Sequence, residues 1–312
     1  MTQIVWGLDA FPPSLRGGAL AIGNFDGVHR GHARLIEQLL NMARSLGGPA
    51  IVLTFDPAPR FILAPKLPKQ PPLTTVLRRA KLLGQLGVDC TVVCRTTPEL
   101  LDSSPQAFFQ NCAVDAIGVT GMVEGPNFFF GKDRKGDVNL LQELCQAENV
   151  QLEVARAECD AGEMIASTRI RAAILAGDLT EANRMLTEDY QIEGAVVPGE
   201  QRGRRLGFPT ANLAEIESLV PGTGVYAGTG YVASRAYRAA IHVGPNPTFN
   251  PDGPPKVEAH LIDFQGQELY GQCIALSFNR KIREVQKFHS IDQLVQQLRM
   301  DISICSQQPA FY

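Results

Sequence analysis

Ala19-Leu-Ala-Ile-Gly-Asn-Phe-Asp-Gly-Val-His-Arg-Gly-His32 starts as a four-residue apolar run, turns through Gly23 and Gly27, and leads into apolar positions at Leu35, Ile36, Leu39, Leu40, Ala43 and Leu46. The change from a short apolar run to a 3.6-residue period marks a strand, a polar turn and a helix in succession. The rhythm continues downstream. Residues 51–55 read as a strand buried on both faces, 76–86 as a helix stopped by Gly87, and 91–94 as another buried strand. Ser104-Pro105 predicts a helix start, 117–123 a strand, Asp137 the cap of a helix reaching Cys145, and 152–155 a strand. Alternation of this kind predicts a doubly wound α/β domain, whose ligands sit beyond the carboxyl ends of the strands.

Two helical segments, 167–176 and 179–186, close this half. Beyond Tyr190, short strand-like runs dominate, at 192–197, 224–231, 237–243, 257–263 and 272–278. Turn-forming clusters such as Gly244-Pro-Asn-Pro247 and Asn250-Pro-Asp-Gly-Pro-Pro255 separate them, which predicts an all-β barrel or sandwich. A final helix carries a Ser290/Gln293 capping box and a stripe at Ile291, Leu294, Val295, Leu298 and Ile302. The expected division is an α/β domain over 1–188 and a β domain over 189–312. The Pro and Gly content of 65–72 and 250–255 suits loops that order on binding.

Composition narrows the function classes. The 312 residues are 45% hydrophobic, enough for a core in each half. The net charge of −3 and the lack of a long basic stripe argue against nucleic acid as partner. The tightest basic cluster, Arg202, Arg204 and Arg205, suits a small phosphorylated ligand. Seven scattered cysteines without C-x-x-C spacing speak against zinc or a redox motif and suit reduced thiols. There is no signal-like start and no apolar run near the ~20 residues that span a bilayer. The expected setting is cytoplasmic, with no membrane partner.

Chemistry-bearing residues fall in two groups. His29 and His32, three apart, share a face in the first turn of a helix. A helix N-terminus offers free N–H groups and a partial positive charge, so an anion such as a triphosphate is favoured there. Gly31 and Gly27 allow close backbone approach. Such a site suits attack on an α-phosphate with pyrophosphate leaving, although two surface histidines would satisfy the same spacing. Ser167 and Thr168 begin a second helix, with Arg169 and Arg171 suited to bidentate phosphate contacts. The aromatic and Gly-rich run 125–136 is either plain loop packing or a ring-binding wall. In the second half, Gly203 and Gly207 bracket a basic loop, and Thr210 and Asn212 offer hard oxygen ligands for Mg²⁺ beside ATP phosphates. The Gly-Lys-Ser/Thr ending of a Walker A loop is absent. Period two puts Glu258 and His260 on one strand face. Glu258 is either a solvated glutamate or a general base for a hydroxyl attacking a γ-phosphate.

The run Gly23-Asn-Phe-Asp-Gly-Val-His-Arg-Gly-His32, the run Asn127-Phe-x-Phe-Gly-Lys-x-x-Lys-Gly-Asp137 and the run Ser167-Thr-x-Ile-Arg171 occur in this order. So do Gly207-Phe-Pro-Thr-Ala-Asn212, Gly224-Val-Tyr-Ala227, Asn246-Pro-Thr-Phe249, Val257-Glu-x-His-Leu-x-Asp-Phe264, Leu269-Tyr-Gly271 and Arg283-Glu-x-x-Lys-Phe288. Over nearly its whole length the chain resembles the bacterial bifunctional riboflavin kinase/FMN adenylyltransferase family. The resemblance implies a Rossmann-like nucleotidyltransferase domain followed by a six-stranded β-barrel kinase domain with its closing helix. It implies that His29 and His32 contact ATP phosphates, with Gly23, Phe25, Asp26, Gly31, Ser167, Thr168 and Arg171 in the nucleotide site. It implies that Asp56, Asn127 and Arg283 hold flavin and that Gly203, Gly207, Pro209, Thr210 and Asn212 bind Mg-ATP. Glu258 is then the kinase base. The sequence departs from the family pattern at Ala58, Phe129 and Asp133, where His, Arg and Gly are usual, and 186–190 lacks the usual Gly-Arg-Pro.

The reading is an enzyme that phosphorylates riboflavin to FMN and then adenylylates FMN to FAD, with ATP as co-substrate and Mg²⁺ as metal. Two alternatives remain at this stage: a riboflavin kinase with an impaired adenylyl site, and a non-enzymatic flavin-binding regulator. The first would yield FMN without FAD. The second would bind flavin without consuming ATP.

Overall fold

Six parallel strands form the first sheet: β1 (Gln3–Trp6), β2 (Ala19–Ile22), β3 (Ala50–Asp56), β4 (Cys90–Arg95), β5 (Gly121–Glu124) and β6 (Gln151–Val154), in the order β1-β4-β3-β2-β5-β6. The connections carry α1 (Arg30–Leu46), α2 (Pro59–Leu63), α3 (Val76–Gln85), α4 (Pro98–Asp102), α5 (Pro105–Phe108) and α6 (Val138–Ala147), and a small hairpin follows, β7 (Cys159–Asp160) with β8 (Glu163–Met164). The structure is a computed structural model, and it describes residues 2–63, 70–233, 235–245, 256–266 and 268–307. The turn segments 246–249 and 250–255 and most of the 65–72 loop lie outside the described residues.

Alternate residues of the sheet feed two cores. Leu20, Ile22, Ile51 and Leu53 join Phe109, Met122 and Leu141 on one side. Ala19, Ala21, Ala50 and Val52 join Ile36, Leu39, Leu82 and Leu83 on the other. Burial on both faces is why these strands read as unbroken apolar runs. The strand order reverses between β2 and β5, so the crevice of a doubly wound sheet opens at the carboxyl end of β2, where Gly23 begins.

The strand expected over 117–123 begins only at Gly121. Ile117 instead ends a π-helix, Phe109–Ile117, stopped by Gly118 at φ 67° with its N–H on the Ala113 carbonyl. An apolar run followed by glycine fits a buried strand and a buried helix end alike, and here the helix wins.

In the second half, α7 (Ser167–Ala176) and α8 (Leu179–Met185) precede a closed antiparallel barrel. Its strands are β9 (Gln191–Val197), β10 (Ala211–Ala214), β11 (Gly224–Val232), β12 (Arg235–Gly244), β13 (Lys256–Leu261) and β14 (Cys273–Arg283), in the order β10-β13-β12-β11-β14-β9. A four-residue helix, α9 (Arg202–Arg205), sits between β9 and β10, and α10 (Ile291–Ser306) closes the chain. Tyr226 and Phe278, both fully buried, meet edge to face in the core, with ring centroids 5.4 Å apart.

α10 packs on β11 and β12. Ser290 caps it by accepting from the Gln293 N–H at 3.2 Å, while the Gln293 side chain accepts from His289 rather than from Ser290. Its expected stripe is only partly covered. Ile291 is exposed, and the fully buried positions are Asp301 and Cys305. Asp301 is buried because it pairs with an arginine of β14, a partner that helical periodicity cannot show. The chain divides into two compact units, Met1–Gln70 with Thr74–Ala166, and Pro71–Leu73 with Ser167–Tyr312.

Candidate active sites

The first site grows from the β2–α1 turn. His29 is the N-cap of α1: its Nδ1 accepts from the His32 N–H at 3.3 Å, and the His32 Nδ1 accepts from the His29 N–H at 3.2 Å. The two rings stack, with centroids 3.6 Å apart. Because both Nδ1 atoms accept, the proton of each neutral ring lies on Nε2. Burial lowers the His29 pKa to about 4. Burial first, then His29 and Arg79, holds His32 well below the ordinary imidazole range. The pair therefore stands at neutral pH as two uncharged N–H donors at a helix N-terminus. A Cβ on Gly31 would come within 3.1 Å of the His29 ring, so glycine there keeps the stack possible.

The turn leading to them is strained. Phe25 (φ 47°), Gly27 (φ 85°) and Val28 (φ 40°) are all left-handed within four residues. A β-branched residue at positive φ is an outlier, and such strain persists only where packing over-determines it. Phe25 and Val28 are both buried and supply that packing. Asp26 accepts from the Thr74 N–H at 3.2 Å, and the Gly27 N–H donates to Thr74 Oγ1 at 3.1 Å. Arg30 pairs with Glu158 and Asp160, which ties the start of α1 to the β7–β8 hairpin.

Asp56 ends β3 with its side chain exposed, and Asn127 is also exposed, its amide 3.8 Å from the Met164 sulfur. Ser167 and Thr168 are the first two residues of α7. Arg171 is buried and donates to the Pro71 carbonyl at 2.5 Å, and Arg169 pairs with Glu181. These α7 residues belong to the second unit, whereas His29, His32, Asp56 and Asn127 belong to the first.

Sequence reading missed two buried groups in the first unit. Arg79 lies beneath the turn. Glu124 ends β5, and its carboxylate accepts from the Ile22 N–H at 2.7 Å beyond the last paired residues of β2 and β5. Burial raises the Glu124 carboxyl well above its ordinary range, against the pull of that hydrogen bond. A charged residue closing an apolar strand was the available signal.

The second site is a belt across the barrel. Asn212 pairs in register with Glu258, Glu258 with His242, His242 with Val225, and Val225 with Arg283. Residues directly opposite share a face and lie about 5 Å apart at Cβ. Val257, Ala259 and Leu261 alternate with this belt and are buried in the core. The belt residues line a cavity walled by Phe288, Leu298 and Ile302. Arg283 is held there by Asp301, with Nε at 3.0 and 3.1 Å and Nη2 at 2.7 Å from its carboxylate oxygens. The signal for Asp301, an acid inside an apolar helix stripe, was present but unread.

Thr210 is exposed beside the cavity, and His260 Nδ1 lies 2.8 Å from the Pro209 carbonyl of the same loop. Of the basic cluster, Arg202 and Arg204 pair with Glu200 and Glu268. Gly203 sits in α9, and Gly207 takes φ 88° just after it. A Cβ on Gly199 would fall 2.3 Å from the Asn212 amide, so glycine leaves Asn212 the room it occupies. Among the described residues no cluster of three His, Cys, Asp or Glu forms a protein cage for a metal. A hydroxyl and an amide oxygen fit a hard cation that takes its other ligands from phosphates and water.

Comparison with known proteins finds a match in each half of the chain. The FAD synthetase family model matches residues 12–169, and the riboflavin kinase model matches residues 186–308. A bifunctional riboflavin kinase/FMN adenylyltransferase of Pseudomonas fluorescens is 35% identical over 96% of each chain. One from Listeria monocytogenes is 35% identical over 90% of this chain and 89% of its own. A solved structure described as a macrolide-efflux protein from Streptococcus pneumoniae covers 99% of both chains at 29% identity and a TM-score of 0.87. Efflux is the description of that protein alone; here no described helix is long and apolar enough to cross a membrane. With both family models matched in order and relatives similar end to end, the chain belongs to the bifunctional riboflavin kinase/FMN adenylyltransferase family.

Proposed function

We propose that this chain makes FAD from riboflavin in two steps, with residues 189–312 acting first and residues 1–188 second. In the first step the 5′-hydroxyl of the ribityl chain attacks the γ-phosphorus of ATP, its proton passes to Glu258, and ADP leaves. In the second step a phosphate oxygen of FMN attacks the α-phosphorus of ATP, the bond to the β-bridging oxygen breaks, and pyrophosphate leaves. The observation that carries the reading is the pairing of two different phosphate chemistries: uncharged imidazole donors at a helix N-terminus, and a carboxylate in register with an amide on a barrel wall.

For adenylyl transfer, His29 and His32 donate through Nε2–H to phosphoryl oxygens, and Gly23, Phe25, Asp26 and Gly31 shape the turn that receives the nucleotide. Such transfers need positioning and charge stabilisation more than covalent help. The family resemblance assigns Ser167, Thr168 and Arg171 to nucleotide binding and Asp56 and Asn127 to the flavin. For the kinase step, Gly203, Gly207 and Pro209 shape the ATP loop, and Arg283, fixed by Asp301, orients the flavin. Thr210 and Asn212 would hold Mg²⁺, which when bound neutralises phosphate charge. Work in the cytoplasm suits seven cysteines that are all free thiols.

The test is to incubate the purified chain with riboflavin, ATP and Mg²⁺ and to separate the flavins by chromatography. FMN appearing first and FAD after it is the expected result. Neither product would overturn the reading. FMN alone would leave a kinase with a disabled adenylyl site.

A further inference from the structure

The turn that carries the two histidines rests on one buried guanidinium. Arg79, on α3, is only 4% exposed. Its Nη1 donates to Thr54 Oγ1 at 2.8 Å, and Thr54 Oγ1 donates onward to the Asn24 carbonyl at 3.1 Å. Its Nη2 donates to the Thr74 carbonyl at 3.3 Å and lies 3.9 Å from Asp26 Oδ1. Thr74 in turn holds Asp26 through its N–H and Gly27 through its hydroxyl. Asn24, Asp26 and Gly27 are thus all fixed by a network whose centre is Arg79.

Burial of this cation is costly. Its Nε is buried without a hydrogen-bond partner, a penalty that native cores seldom carry without a reason. Arg79 remains cationic, because a guanidinium does not deprotonate in proteins. Its neighbours Asp26 and Asp56 offset the charge, and its positive field also reaches His32. A fixed cation below an anion-accepting helix terminus adds to the attraction for phosphate and disfavours a proton on the adjacent imidazole.

We propose that Arg79 is the positioning residue of the adenylyl-transfer site: it fixes the strained 24–27 turn, and through it the two Nε2–H donors, in the geometry that receives the ATP phosphates. The proposal rests on the reading of His29 and His32 as phosphate donors. Arg79 itself meets neither substrate. It acts through Thr54 and Thr74 on the backbone, and through its charge on His32. The groups that face this pair are His29, Asp26 from the turn and Asp56 from β3.

The experiment compares Arg79→Met, Arg79→Lys and Thr54→Val in the full chain, with riboflavin phosphorylation by the same molecules as an internal control. A misplacement of about 1 Å costs roughly 10²-fold in rate, so Arg79→Met should lose about that much kcat for FAD formation, with a smaller change in KM for ATP. Lysine keeps the charge and part of the bonding, so Arg79→Lys should recover most of the loss. Thr54→Val removes one hydroxyl from the network, keeps the side-chain shape, and should cost about tenfold. The acid limb of the pH profile should move to higher pH in Arg79→Met but not in Thr54→Val, because only the former removes the charge that opposes a proton on His32.

Wild-type kcat in both Arg79→Met and Thr54→Val, with an unmoved acid limb, would overturn the proposal. If Arg79→Met fails to fold, Arg79→Lys and Thr54→Val decide: normal kcat in both overturns it, and a graded loss with intact kinase activity supports it. Parallel His29→Ala and His32→Ala variants separate the two levels of inference. If those retain FAD formation, the phosphate-donor reading falls. If they lose it while the Arg79 and Thr54 variants do not, only the role of Arg79 falls.

Discussion

The two sites are assembled in opposite ways. The first is nearly contiguous: a strand end, a turn with three left-handed residues and a capped helix put His29 and His32 in place within ten residues of Gly23. The second draws Asn212, Glu258, His242, Val225 and Arg283 from five strands, and only their register makes them neighbours. A contiguous site can be strained and prewired, since the chain itself enforces its geometry. A belt is only as exact as the sheet that carries it, and its charged members need partners from elsewhere, as Arg283 needs Asp301 from α10.

The strongest way to break this contrast is to disable each site alone. His29→Ala removes the proposed phosphate donor and the cap of α1, so FAD formation from supplied FMN should fall by about 10²–10³-fold, the cost of losing a transition-state donor. FMN formation should survive. Glu258→Gln should do the reverse, lowering FMN formation by about 10²–10⁴-fold while conversion of FMN to FAD continues. Product ratios by chromatography measure both. If either substitution stops both reactions, the two sites are not independent.

A second test addresses the belt's reliance on its partner. Asp301 is almost fully buried beside Arg283, and removing one member of a buried pair leaves the other charge uncompensated. Asp301→Ala should destabilise the barrel unit by about 3 kcal/mol in denaturant unfolding. Its KM for riboflavin should rise, and FAD formation from FMN should be spared. Loss of stability without any change in KM would make Arg283 a structural tie alone.

The contiguous site has its own signature in pH. The His29 imidazole is lowered from 6.5 to about 4, so between those values the unfolded chain binds a proton that the folded chain refuses. This contribution is fully present above pH 6.5 and is lost as pH falls toward 4, on the order of 3 kcal/mol across the window. Glu124 has the opposite slope. Its carboxyl is raised above 4.5, so the folded chain keeps a proton that the unfolded one has released, and stability declines as pH rises past 4.5. Thermal melts against pH should show His29→Ala weakening the rise between 4 and 6.5, with His32, whose imidazole burial also holds low, carrying the remainder. Glu124→Gln, which keeps an acceptor for the Ile22 N–H, should lose the decline. Parallel curves for all three proteins would mean that neither buried group governs stability.

Legibility in the sequence follows the same division. Ala19–Ile22 and the helix after it were readable because both periods are local, and His29 and His32 could be placed at a helix start for the same reason. Their tautomers were not readable, because those depend on which backbone N–H each Nδ1 meets. On the barrel, period two gave the face of Glu258 but not its neighbours Asn212 and His242, since register between distant strands leaves no local trace. Family resemblance, not pattern, supplied a role for Glu258. Buried ionic partners were the hardest to see. Arg79 and Asp301 look like solvated charges on helices until the packed structure shows what encloses them.

The smallest effect concerns a position where this chain departs from its family pattern. Asp133 takes φ 56° and ψ 20°, and Arg134 follows at φ 57°. Glycine adopts the left-handed region without a Cβ penalty, whereas Asp tolerates it only through its short polar side chain. Lys135 lies 3.7 Å from the Asp133 carboxylate, but both are exposed and such pairs contribute little. Arg134 stacks over the Phe129 ring at 4.8 Å, in the run that carries Asn127. Asp133→Gly relieves strain in the folded loop and adds freedom to the unfolded chain, so the two changes oppose each other and the net should stay within about 1 kcal/mol. KM for FMN should not change if Asp133 only shapes the loop. A fall in KM would instead mean that the carboxylate repels the flavin phosphate, and that the contiguous site was tuned at its rim as well as at its histidines.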